Sequence, residues 1–334
     1  MPSGADSALA WAIRPATRPD VGGGHVARCS ALGAALALHG PVVAIVEKGG
    51  EFWHRRFAES GIAVVPECDL GGGPFAGIVL DDYDFRPSDI ARWRTCTIGP
   101  IVQIDDHGTP LLGIDLAVNA TPGLNGFSLG KVPALLGASF AMLAAPYAGR
   151  LGPRIRRHID RVVVAIGWND ANGITERVLA ALGQVLQPPA RVDVVLGAMS
   201  PNIARVAAMV NAAPNWRLHR DVAQPWLLLD GADMAVSGAG QSLLERLAFG
   251  IPTLAIATAD NQMAVLAGVA GYGAAHSLGT LKDDLSEDRI ASAFSALARD
   301  ADRRSKMSVA AQRLVDGHGA SRVARHLVSQ VALR

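Results

Sequence analysis

The chain has 334 residues, half of them apolar, with 31 Lys and Arg against 30 Asp and Glu and a formal net charge of +1. That length supports two domains with ample core, and the balanced charge gives no reason to expect nucleic acid or an anionic membrane as partner. No apolar run reaches the length of a membrane span, and no basic stretch followed by an apolar run opens the chain as a signal peptide does. A soluble, cytoplasmic protein, monomeric by default and without stable membrane insertion, is expected. Cys29, Cys68 and Cys96 are odd in number and lack metal-ligand spacing, which fits reduced thiols.

In chain order, "LAWAI" (9–13) reads as a strand, followed by a helix from about Gly24 to Leu38. "PVVAIV" (41–46) is a strand and "EFWHRRFAES" (51–60) a helix. "IAVV", "GIVLDD", "IVQIDD" and "DLAVN" are further strands, several ending in carboxylates or amides. Short apolar strands alternating with helices argue for a parallel sheet covered on both faces. A Gly-, Pro- and Arg-rich stretch from Tyr147 to Ile159 reads as a linker. The alternation then restarts: strand 161–166, helix "ITERVLAALGQVL", strand 191–197, and helix "PNIARVAAMVNA" with proline at its first position. Strand "ADMAVS" (232–237), a helix from about Gly240, strand "PTLAIA" (252–257) and two helices from Glu287 onward complete the pattern. The expected fold is α/β, two Rossmann-like doubly wound domains facing a cleft, with boundaries at 1–150 and 151–334. In such sheets ligands sit beyond the C-terminal ends of the strands.

Two segments concentrate chemistry. "VGGGHVAR" (21–28) matches G-x-G-x-x-A, with Glu47 about twenty residues on, the pattern of a dinucleotide site. Such a site needs its first glycine at the end of the first strand, and "RPATRPDV" intervenes here. No nicotinamide cofactor is therefore expected. Gly23 and Gly24 instead present His25 to a ligand, and a helix N-terminus disfavours imidazolium, as a general base requires. The second segment is "SGAGQSLLERLAFGIPTLAIATADNQ" (237–262). A strand, a small-residue turn and a helix start form an anion site, with Glu245 a turn further on, able to accept ribose hydroxyls. Helix capping explains Ser237 and Ser242 equally well. Asp81, Asp82 and Tyr83 end one strand, and Asp105, Asp106 and His107 another. Paired carboxylates suggest metal or acid–base chemistry, but sugar hydroxyl recognition or loop capping is preferred, with Asp82 and Tyr83 ahead of Asp105 and Asp106 for substrate contact, and Asn119 a candidate for acetamido contact. No metal is expected.

"GGGHVARC", "LDDY", "IDD", "DLAVN", "LLGASFAML" and "SGAGQSLLERLAFGIPTLAIATADNQ" follow one another in the order seen in the UDP-sugar hydrolases of pseudaminic acid synthesis. The chain resembles that family from about Arg14 to Gln262. The family is itself similar to GT-B glycosyltransferases such as the one that makes lipid II. The resemblance implies a GT-B fold and hydrolysis of UDP-2,4-diacetamido-2,4,6-trideoxy-β-L-altropyranose to UDP and free sugar. It implies that His25 is the catalytic base and that Asn261 and Gln262 end the family's NQ motif; Gly23, Gly24, Asp82, Tyr83 and Asn119 are expected at the sugar from the residues themselves. It assigns the nucleotide to Gly167, Asp170, Ser237, Gly238, Ala239, Gly240, Gln241, Ser242 and Glu245. Three places depart from its pattern: Ala16 stands where an acid is usual, Trp168 replaces the second glycine of a turn expected to face the cleft, and "AAPY" stands after "FAML" where charged residues are usual. The alternatives are a glycosyltransferase of the same fold and a catalytically weak nucleotide-sugar binding protein.

Overall fold

The computed structural model of the chain describes residues 9–18, 21–67, 74–124, 128–150, 152, 155–197 and 200–332. Cys68, residues 19 and 20 of "RPATRPDV" and residues 151, 153 and 154 of the linker stretch lie outside them. The chain divides into two units, one of residues 1–145 and 318–334, the other of residues 146–317.

In the first unit β1 (Trp11–Pro15), α1 (Gly24–Leu36), β2 (Val42–Val46), α2 (His54–Glu59), β3 (Ala63–Pro66), β4 (Gly77–Asp81), α3 (Pro87–Thr95), β5 (Ile101–Ile104), β6 (Leu116–Asn119) and β7 (Ala134–Leu136) follow in order. The strands form one parallel sheet, β3-β2-β1-β4-β5-β6-β7. β1 starts two residues later than "LAWAI" suggests, so the lead-in to the glycines is shorter than the sequence reading assumes. Period-two alternation splits β4 between two faces. Ile78 and Leu80 pack with Ile90 and Trp93 of α3, which leaves Val79 and Asp81 for the face covered by α1. Sequence reading missed α3, whose Pro87 and Asp89 shape its first turn: Asp89 accepts from the backbone N–H of Arg86 at 2.7 Å.

The second unit runs β8 (Arg161–Ala165), α4 (Ile174–Val185), β9 (Arg191–Leu196), α5 (Ile203–Asn211), β10 (Trp216–Arg220), α6 (Trp226–Leu229), β11 (Met234–Gly238), α7 (Gln241–Ala248), β12 (Thr253–Ala257), α8 (Met263–Gly271), β13 (His276–Thr280), α9 (Glu287–Arg299) and α10 (Ala301–Leu314). Its sheet is also parallel, β10-β9-β8-β11-β12-β13. Pro201 lies before α5 rather than in its first turn, since Asn202 is the cap.

The tail holds three helices instead of two. The Asp300 side chain accepts from the N–H of Arg303 at 2.8 Å and restarts the helix as α10. The last, α11 (Gly319–Ala332), belongs to the first unit, against the expected boundary. Its Ala320, Val323, Ala324 and Leu327 are buried at the i, i+3, i+4, i+7 spacing of one helix face. Gly319 fits tightly there: a Cβ would sit 2.1 Å from the Ala141 carbonyl oxygen. Arg322 donates to the Ser139 carbonyl at 2.9 Å.

Each sheet reverses strand order once, between β1 and β4 and between β8 and β11. The crevice at such a switch point, beyond the strand ends, is where open α/β sheets take ligands.

Candidate functional site

His25 is the second residue of α1 and Asp81 the last of β4, so the first switch point brings them together. His25 Nδ1 lies 2.6 Å from Asp81 Oδ1. Asp81 is fully buried. An ionised carboxylate only accepts, so the proton of the neutral ring is assigned to Nδ1, leaving Nε2 with its lone pair. Arg28, one helical turn after His25, donates to both Asp81 oxygens, Nε at 2.7 Å and Nη2 at 2.6 Å. The Cys29 thiol adds a long contact of 3.4 Å. Burial pushes the Asp81 carboxyl up, but Arg28 and His25 overcome it and hold it well below the usual carboxylate range.

The network continues through Arg28 Nη1 to Asp106 Oδ2, 2.7 Å away, which also accepts from the Tyr83 hydroxyl at 2.5 Å. The Tyr83 ring then stands edge-on to His25, with centroids 4.8 Å apart, and edge-on to His107 at the same distance. His25, Asp81, Arg28, Asp106 and Tyr83 thus form a closed circuit. Burial raises the Tyr83 phenol well above its ordinary range, so it stays a neutral donor. Sequence reading missed Arg28 and passed over Asp81. The signal was present: His25, Arg28 and Cys29 share a face at i, i+3, i+4, and Asp81 alternates away from Leu80.

Asp82, expected at the sugar, is turned to guanidinium groups. Arg14 Nη1 reaches it at 2.8 Å, and Arg18 grips both its oxygens at 2.7 and 3.0 Å. Arg14 also meets Glu47 at 3.2 Å and Glu67 at 3.0 Å, so acids from neighbouring strands surround it although position 16 is alanine. Buried Asn119 accepts from the N–H of Thr121 at 2.9 Å and shapes its own loop.

In the second unit, β11 ends against β8. A Cβ on Gly238 would lie 1.7 Å from the Ile166 carbonyl oxygen, so only glycine fits there. The Ser237 hydroxyl donates to the Gly238 carbonyl at 2.8 Å and lies 3.1 Å from that of Ser242, fixing the turn through Ala239, Gly240 and Gln241. The N-cap of α7 is Gly240, whose carbonyl accepts from the N–H of Leu243 at 3.0 Å. Gln262 lies beside Gly240, 3.3 Å from where a Cβ would be, and its Oε1 accepts from the N–H of Thr258 at 2.9 Å. Asn261 sits in the same short 3-10 turn. Glu245 lies 3.4 Å from Nη1 of the buried Arg246.

Gly167 follows β8 with open space where a Cβ would point. Asp170 is committed elsewhere: its two oxygens accept from the N–H groups of Ile174 and Thr175 at 3.0 and 2.9 Å, capping α4. The Trp168 ring is seated over Gly197, where an added Cβ would come within 2.7 Å of it.

No family model matches the chain. The spore coat polysaccharide biosynthesis protein SpsG of Bacillus subtilis (strain 168) is 27% identical over 177 residues, 53% of this chain and 52% of SpsG, so the match spans about half the length of that relative. Among solved structures, MurG of Acinetobacter baumannii aligns with a TM-score of 0.66 at 14% identity, covering 96% of this chain and 99% of MurG. S. aureus MnaA, solved with UDP, aligns with a TM-score of 0.66 at 12% identity over 98% of each chain. Together with the two parallel sheets, these end-to-end likenesses establish a GT-B fold. No helix among the described residues is long and apolar enough to cross a membrane.

Proposed function

We propose that the chain hydrolyses a UDP-linked diacetamido-trideoxy sugar to UDP and free sugar, a step toward nonulosonic acids such as pseudaminic acid. The observation that carries this reading is the buried His25–Asp81 pair at the switch point of the first sheet. SpsG, a polysaccharide biosynthesis protein, and MnaA, which binds UDP, support a nucleotide-sugar substrate.

His25 Nε2 takes a proton from water as its oxygen attacks the anomeric carbon. Asp81 accepts the Nδ1 hydrogen bond and stabilises the imidazolium that forms. The bond from that carbon to the diphosphate breaks, and UDP leaves with the electron pair. The Ser237–Ser242 turn before α7 and Glu245 are the segments proposed to bind the nucleotide. Gly23, Gly24 and Tyr83 meet the sugar, while Asn261 and Gln262 border the nucleotide turn. Asp82, Asn119 and Asp170 hold Arg18, a loop and α4 in place.

The test is incubation with UDP-2,4-diacetamido-2,4,6-trideoxy-β-L-altropyranose and no acceptor, followed by NMR. UDP and free sugar accumulate, and His25→Ala abolishes both while UDP binding survives. Turnover that requires an added acceptor identifies a transferase instead.

A further inference from the structure

Asp81 presents a physical difficulty for a base at His25. A buried carboxylate 2.6 Å from an imidazole favours the imidazolium, and a ring already protonated cannot take a proton from water. Arg28 answers that difficulty. Its Nη2 donates to Asp81 Oδ1, the oxygen that His25 also contacts, and its Nε occupies Oδ2. The charge that would hold an imidazolium is thereby shared with a permanent cation.

We propose, on the basis of the hydrolase reading above, that Arg28 is a positioning residue that tunes His25: it offsets the Asp81 charge so that the ring stays a neutral acceptor, and Asp106 sets how far it does so. His25 itself meets Asp81 and the Tyr83 ring from the end of β4 and Arg28 Nη2 of α1, 3.4 Å from its Nδ1. One contact further out, Cys29 of α1 reaches Asp81, Asp106 after β5 reaches Arg28 and Tyr83, and His107 meets the Tyr83 ring. Burial keeps the Cys29 thiol neutral, and Tyr83 is a neutral donor to Asp106. The balance at His25 therefore rests on one guanidinium and two carboxylates. Asp106 draws Arg28 toward itself through Nη1 at 2.7 Å and weakens its effect on Asp81.

Opposite signs follow for the two partners. Arg28→Met moves the acid limb of the kcat profile up by about one pH unit and lowers kcat at neutral pH roughly tenfold, with KM changed less than about threefold. Arg28→Lys keeps the charge and restores most of the loss. Asp106→Asn keeps acceptors for Arg28 and Tyr83 but removes a negative charge, so the limb moves to lower pH. Ring 15N NMR of His25 reads the same effect without substrate: in Arg28→Met the signals change toward the protonated form at higher pH than in the parent. An unmoved limb in Arg28→Met, a lysine variant no better than methionine, or a limb that rises in Asp106→Asn overturns the proposal. If Arg28→Met does not fold, Asp106→Asn still gives the sign. If the parent releases no UDP, the hydrolase reading fails, and the NMR titration still decides the part played by Arg28.

Discussion

Two buried aspartates, one in each unit, are surrounded by nearly the same groups. Asp81 holds His25 and Arg28. Asp193, also fully buried, accepts from Arg161 Nε at 2.9 Å, from Arg191 Nη2 at 2.7 Å, and from His219 Nε2 at 2.7 Å. Charge and composition alone do not separate them; position does. Asp81 is the last residue of β4 at a switch point, and its histidine opens a helix beside glycines. Asp193 is the third residue of β9, paired in register with Val163 and Arg217, and joins three strands from within the sheet. The tautomers differ as well, because His25 gives Nδ1 to its carboxylate and His219 gives Nε2. The same chemistry serves as a candidate base in one place and as a clamp between strands in the other.

Histidine removal makes the sharpest test of that difference. His25→Ala lowers UDP release by roughly 100- to 10,000-fold, the usual worth of a general base, whereas His219→Ala leaves the rate within about threefold. Comparable losses for both variants would break the comparison. Substituting the aspartates comes next. Asp81→Asn keeps the shape of the site but favours the wrong ring tautomer, and kcat falls roughly 100-fold or more. Asp193→Asn puts a neutral amide beneath the partly exposed Arg161 and Arg191 and costs about 2 kcal/mol in urea unfolding with little change in kcat. An Asp193→Asn protein of parental stability would show that the clamp holds nothing.

Acid unfolding brings the two clusters back to common ground. For Asp193, burial raises the carboxyl, but hydrogen bonds from His219, Arg191 and Arg161 overcome it and hold it well below its ordinary range. Asp81 is lowered likewise. A carboxyl depressed in the folded state contributes its full stabilisation above the unfolded value of about 4, and that contribution is lost as pH falls toward the folded value. Urea midpoints of the parent therefore drop progressively below about pH 4, and either asparagine variant shows a shallower fall. An equally steep fall in both variants would mean that other carboxylates govern acid stability.

The strands of both sheets were legible because apolar runs of four to six residues recur between helical periods. The His25 segment and the Ser237–Ser242 turn stood out for the same reason they fall at switch points: glycines and polar groups interrupt apolar strands there. The pairing of Asp81 with His25 was harder to see, since it depends on which face of β4 each residue occupies, and "LDDY" offers two adjacent acids of identical type. Once Leu80 is assigned to the α3 face, Asp81 and not Asp82 must turn toward α1. Asp170 carries a role that the sequence alone did not show. A helix cap and a ligand contact use the same side chain at the same kind of turn, and only its two accepted N–H bonds distinguish them. The placement of α11 could not be read from composition, because its apolar stripe suits either unit and the choice is made by the close approach of Gly319 to Ala141.

The smallest expected effect concerns the one donor that Asp81 has and Asp193 lacks. The Cys29 thiol lies 3.4 Å from Asp81 Oδ2, and a thiol is a weak donor. Arg28 Nε already occupies that oxygen at 2.7 Å, so the carboxylate does not depend on sulfur for its orientation. Cys29→Ala should cost about 1 kcal/mol through the small cavity it leaves in a fully buried site, and it should change kcat by less than about threefold. Cys29→Ser replaces the thiol by a stronger donor on a shorter bond, so any contribution through Asp81 would appear as a difference between serine and alanine in kcat at equal stability. Equal kcat values for the two variants assign Cys29 to packing. A serine variant that differs from alanine by tenfold or more would show that Cys29 acts on Asp81 together with the two Arg28 donors to position His25, and that the resemblance to the Asp193 cluster is only superficial.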